Sequence, residues 1–181
     1  MDTGIILASL RGFHLLALAS LFGTLASLAL VAPAGLREAG AAAAPARQRL
    51  VGLAKWSDAL ALFIGVGWMV LQSATIAGTT SIGGMLPALA TVARGTQFGH
   101  LVLLRFVLLL AVFPMVGGRG WRLIAALVLA GAALAMQGGM GHAGATGGTV
   151  GVVLLVSEGL HLLAAGAWLG GLLPLFVLIG S

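Results

Sequence analysis

The chain has 181 residues, 60% of them hydrophobic and only 7% charged, with a net charge of +5 and no cysteine. Soluble domains carry about one charged residue in four, so this composition excludes a soluble globular protein; the missing cysteines exclude disulfides, thiolate metal sites and a cysteine nucleophile. The basic residues lie in short segments between apolar runs, where membrane topology accounts for them and no nucleic-acid partner is needed.

A bilayer core of about 30 Å takes about 20 apolar residues to cross as helix. Five runs meet that length, near 4–31, 54–77, 98–116, 121–140 and 151–179. Lipid offers backbone groups no partner, so each run is expected to be helical. The fold class is therefore all-α, a polytopic transmembrane helix bundle forming one domain over 1–181. The first run is no signal peptide: Asp2 precedes it, no Lys or Arg appears before Arg11, and it exceeds a signal-peptide core. The stretch 82–94, with Ile82, Met85, Leu86, Leu89 and Val92 apolar, reads as a short interfacial helix.

Arg37, Arg47, Arg49 and Lys55 follow the first run, and Arg119 and Arg122 follow the third. The positive-inside rule makes 33–53 and 117–120 cytoplasmic loops and turns the N-terminus outward. Runs 1, 3 and 5 then point inward.

The fifth run resembles the first at a constant offset of 147. Gly12, His14, Leu15, Leu16 and Ala17 match Gly159, His161, Leu162, Leu163 and Ala164, and Gly23 matches Gly170. Four spans separate the two starts, which suggests a parallel 4+4 repeat, with this chain a fragment or short form of a longer protein.

Ionisable groups inside a bilayer are costly and mark functional sites by default. Arg11, His14, Asp58, His100, Arg105, Glu158 and His161 fall within or at the edges of the runs. Asp58, close to Lys55, and His100, near the start of its run, are expected at the interfaces. At 1.5 Å per residue, His14 and His161 each lie roughly 15 Å below the outer surface. Arg11 and Glu158 each precede a histidine by three residues, on nearly the same helical face. If runs 1 and 5 are neighbours, Arg11 meets Glu158 at one level and His14 meets His161 at the next. Arg105 is a further supporting charge. Met136 and Met140 are four apart, on one face if the helix persists, and His142 follows them. Thioether and imidazole ligands suit copper, Cu(I) in particular. Trp168, seven residues after His161, is placed to wall a pocket.

The segment His161-Leu-Leu-Ala-Ala-Gly-Ala-Trp168-Leu-Gly170-Gly171-Leu resembles the copper resistance protein D (CopD/PcoD) family. So do Gly141-His142-Ala143, Thr96-x-Phe98-Gly99 followed by Arg105, and Arg11-x-x-His14. The resemblance covers most of this chain and the N-terminal part of a family member. It implies a bacterial inner-membrane protein of about eight helices, tied to copper uptake or tolerance, beside a periplasmic copper-binding partner of the CopC type.

The leading expectation is a copper-handling transporter or part of one, with copper as Cu(I) or Cu(II). Met136, Met140 and His142 would capture it at the outer face, and His14 and His161 would hold it at mid-membrane. The alternatives are a b-type haem electron carrier with His14 and His161 as axial ligands, and a structural membrane subunit without metal. Homo-oligomerisation is left open. No His-Glu-x-x-His motif, Ser/His/Asp set or phosphate loop is present, so no enzyme is expected.

Overall fold

The computed structural model describes residues 3–38, 40–141 and 146–179. Its helices are α1 (Thr3–Ala26), α2 (Pro33–Glu38), α3 (Ala44–Ile76), α4 (Ile82–Gly95), α5 (Gln97–Val112), α6 (Trp121–Ala135) and α7 (Gly148–Ile179). A π-helical turn, Ser27–Val31, extends α1, and a 3₁₀ turn, Met136–Met140, extends α6. Four of these segments are long and apolar enough to cross a bilayer, and there are five if the α4–α5 pair, bent by 89°, counts as one broken span. The all-α polytopic bundle therefore stands, with four to five of the expected runs.

α1 is the central helix. It packs on α3, α6 and α7, while α5 closes against α6 and α3. Leu18, Leu21 and Leu25 of α1 meet Leu50, Ala54 and Ala61 of α3, Leu109 and Val112 of α5, and Ala126, Ala130 and Leu134 of α6 in one buried cluster.

The bend between α4 and α5 has a local cause. Thr96 caps α5 through Oγ1, which accepts from Gly99 N–H at 3.0 Å, and its extended backbone (φ −128°, ψ 150°) ends α4 in the same step. Gly99 lies against the backbone of Val92 and Ala93, where no side chain has room. α4 is the helix expected over 82–94.

The expected loop 33–53 is a correction. Most of it is helical: α2, a 3₁₀ turn at Gly40–Ala43, and the first turns of α3. Hydropathy marks only the apolar part of a helix. Ala44 to Ala54, with Arg47, Gln48, Arg49 and Leu50, are good helix formers, and Pro45 in the first turn suits a helix start. α3 is therefore roughly 50 Å long and overruns the hydrocarbon thickness.

α7 joins the bundle through its smallest residues. Its buried positions are Gly151, Gly159, Gly166, Gly170 and Pro174. A Cβ on Gly170 would strike the Ala19 carbonyl, and one on Gly23 would strike Gly170. Ala19-x-x-x-Gly23 and Gly166-x-x-x-Gly170 thus cross backbone to backbone, as small-residue motifs permit. They are also repeat equivalents at the offset of 147.

Candidate functional site

His14 is 1% exposed and Arg105 is wholly buried. Nδ1 of His14 lies 2.8 Å from the Ala61 carbonyl, and Nε2 lies 3.2 Å from Nη1 of Arg105. A guanidinium only donates, so Nε2 accepts and Nδ1 carries the proton towards Ala61. His14 is therefore the neutral Nδ1–H tautomer. Arg105 also donates from Nε to the Ala133 carbonyl at 2.9 Å and from Nη1 to Gln137 Oε1 at 3.0 Å. One guanidinium ties α1, α5 and α6 together, with no carboxylate among its described partners.

Local sequence makes this possible. A Cβ on Gly65 would come within 2.9 Å of His14 Cε1 and 2.8 Å of Phe106 Cε1, so only glycine admits the imidazole there. Trp68, one turn further along α3, stands with its ring centroid 5.8 Å from that of His14. The Phe98 ring meets Trp68 edge-on at 5.2 Å. Trp68 and Phe98 line the floor of a cavity of about 430 Å³ that opens towards the N-terminal end of α1. Arg11, Gln72 and Met140 supply its polar and sulfur-bearing wall.

Asp58, expected at the inner interface, is enclosed by the bundle. It is fully buried, and neither carboxyl oxygen has a partner among the described residues. It precedes Ala61 by three residues and Gly65 by seven, so it shares their face of α3 one and two turns below. Because α3 starts at Ala44 and not near 54, Asp58 lies about four turns inside the helix. Gln137 is a further site residue that the sequence reading does not single out.

Other expected partnerships do not form. His161 and Glu158 are exposed on α7. Arg11 and Glu158 make no ion pair among the described residues; Glu158 lies against Gly138, where a Cβ would sit 3.3 Å from its Cγ. The reason is rotational. At about 100° per residue, His161 is about 200° around α7 from Gly159, and His14 about 140° around α1 from Ala19. Both turn away from the seam the two helices share.

Trp168 is 72% exposed and walls no part of the cavity; Trp68 takes that place. Met136 and Met140 do not share a face, because the helix tightens to 3₁₀ at Met136. At three residues per turn they diverge by about 120°, and Met140 alone reaches the cavity. His142 lies outside the described residues. His100 is exposed and bonds the Arg94 carbonyl at 2.9 Å.

The profile of the copper resistance protein D-like N-terminal domain matches residues 1–152. The chain belongs to the copper resistance protein D-like family. The matched segment carries His14, Asp58, Trp68, Arg105 and Gln137, the whole buried cluster of this copper resistance D-like chain. The stretch His161 to Leu172 lies beyond the match. Comparison with curated proteins gives no match, and neither does comparison with solved structures. The chain is thus a copper resistance-related, multi-pass membrane protein.

For copper, the donors beside the cavity fit in kind. An imidazole nitrogen and the Met140 thioether near the cavity floor suit a soft ion better than a hard one. The arrangement is closed, however, because Arg105 occupies the Nε2 lone pair of His14. No group of three or more His, Cys, Asp or Glu is preassembled among the described residues. A haem b held between His14 and His161 does not fit this arrangement, since the buried His14 turns towards α3 and α5 while His161 is exposed on α7.

Proposed function

We propose that this chain passes copper through a bacterial inner membrane, with the N-terminus outward, and that His14 is the ligand the ion meets below the Trp68–Phe98 floor. The observation that carries this reading is the buried, neutral His14 whose Nε2 lone pair is held by an arginine with no acidic partner among the described residues. An imidazole sequestered in this way is a ligand kept in reserve. Copper enters the cavity past Arg11 and Met140, with Met136 and His142 as further capture groups. Arg105 must release His14 before the ion can bind, so the guanidinium is the barrier. Soft donors favour Cu(I), and a periplasmic copper-binding protein of the CopC type is the fitting supplier.

The test is a Cu(I) titration of the detergent-purified protein against a chromophoric chelator. His14→Ala is expected to weaken binding at least about tenfold while the protein still inserts and folds. Unchanged affinity in a folded His14→Ala protein removes the proposed site. Ligand histidines must be unprotonated, so acidification is expected to weaken binding as well.

A further inference from the structure

We propose that the opposite end of the bundle from the His14 cavity holds one anionic phospholipid, its phosphate between Arg47 and Arg119 and an acyl chain along α6. A second cavity of about 430 Å³ is lined there by both arginines, with Leu28, Leu36 and Leu123 as apolar wall. No carboxylate lines it among the described residues. Arg47 is fixed in place, its Nη2 donating to the carbonyls of Gly117 at 3.2 Å and Gly118 at 2.8 Å. Arg119 follows directly in the chain and is exposed. Two guanidiniums on one concave surface, without an acid between them, make a receptor for phosphate oxygens.

The apolar half of the site is independent of these charges. Ile124 lines the charged cavity and also a second, almost wholly apolar hollow of about 560 Å³ on α6. Trp121 stands at the head of that hollow and Val128 lies further along it. All three side chains are exposed. A charged pocket that runs through a shared residue into an apolar groove on a membrane-crossing helix matches a phospholipid, head and tail. Free phosphate would use only the first part. The site lies at the end of the bundle whose connecting segments also carry Arg49 and Arg122, and basic pockets of this kind between membrane helices attract anionic head groups.

The experiment is delipidation of the full chain in a nonionic detergent, followed by native mass spectrometry and thermal unfolding with added phosphatidylglycerol, phosphatidylcholine of the same chains, or inorganic phosphate. One phosphatidylglycerol is expected to stay bound and raise the unfolding midpoint. Phosphatidylcholine carries the same phosphate but adds a choline cation that the two arginines repel, and it should bind at least about tenfold more weakly. Arg119→Gln should erase that preference. Ile124→Asn should weaken both lipids alike. Equal binding of the two lipids, a preference that survives Arg119→Gln, or a midpoint rise produced by inorganic phosphate alone would each overturn the proposal. None of these outcomes depends on copper binding.

Discussion

Replacing Arg105 by glutamine separates its place in the bundle's hydrogen bonding from the barrier to metal that we propose for it. A metal ion binds an imidazole nitrogen at roughly 2 Å. Nη1 of Arg105 lies 3.2 Å from Nε2 of His14, so an ion placed between them without rearrangement would meet the guanidinium at still shorter range. Even with the ion and the guanidinium about 5 Å apart, two unit charges repel by about 3 kcal/mol at an effective dielectric of about 20. That repulsion is worth about two decades in affinity. The stability terms oppose one another. The shorter glutamine side chain leaves acceptors such as the Ala133 carbonyl or His14 Nε2 less well paired, at about 1–3 kcal/mol each. Removing a buried charge that has no counter-ion returns several kcal/mol of desolvation. The unfolding midpoint of Arg105→Gln is therefore expected to move by no more than about 5 °C. Cu(I) affinity, read by chelator competition on protein shown by circular dichroism to be folded, is expected to tighten by up to about a hundredfold. Arg105→Lys keeps the charge and should leave affinity near the parent value. A folded Arg105→Gln protein that binds copper no better than the parent would refute the barrier role and remove the reason to place copper at His14 Nε2.

Other outcomes follow from the same geometry. His161→Ala should leave Cu(I) affinity within about twofold of the parent, whereas His14→Ala should lose at least about tenfold in the same titration; equal losses would show that the two histidines act together. Gly170→Ala drives a methyl into the Ala19 carbonyl and should cost about 1–3 kcal/mol, seen as a lower unfolding midpoint. Gly171→Ala meets nothing within 4 Å and should be silent in that scan. Asp58→Val replaces a buried carboxyl that has no partner among the described residues with an apolar side chain and should raise the midpoint, by a gain of about 1–3 kcal/mol; a lowered midpoint would mean that Asp58 has a bound partner in the membrane.

The bundle was legible because lipid imposes a simple rule: a long apolar run must be a helix. The rule fails where helix continues beyond the apolar part, so it misplaces the start of α3 and gives no sign that Asp58 is enclosed by the bundle. His14 and Arg105 stand out as polar residues inside the bilayer. Their partnership does not, because they are 91 residues apart and a search for partners looks for opposite charge. A neutral imidazole accepting from a guanidinium satisfies hydrogen bonding without charge pairing, and composition carries no trace of it. Gly65 is equally silent, since among 29 glycines nothing in sequence marks the one that makes room for an imidazole. The 3₁₀ end of α6 is half visible in Gly138-Gly139, which loosen a helix without saying how it will tighten.

The likeness of the first and fifth runs itself contains the reason His14 and His161 do not meet. Its equivalent positions include Gly23 and Gly170, and these are in mutual contact where α1 crosses α7. The two helices thus turn matching faces, Ala19/Gly23 and Gly166/Gly170, towards one another. Residues well off that face leave the seam on either side. His14 turns towards α3 and α5, and His161 is exposed on α7. The surroundings that bury His14 are a carbonyl of α3, a guanidinium of α5 and an amide following α6. At the matching offset of 147, α7 carries Glu158 where α1 carries Arg11. The two histidines match in sequence and differ in surroundings, one buried and held by a cation, the other exposed and three residues after an acid.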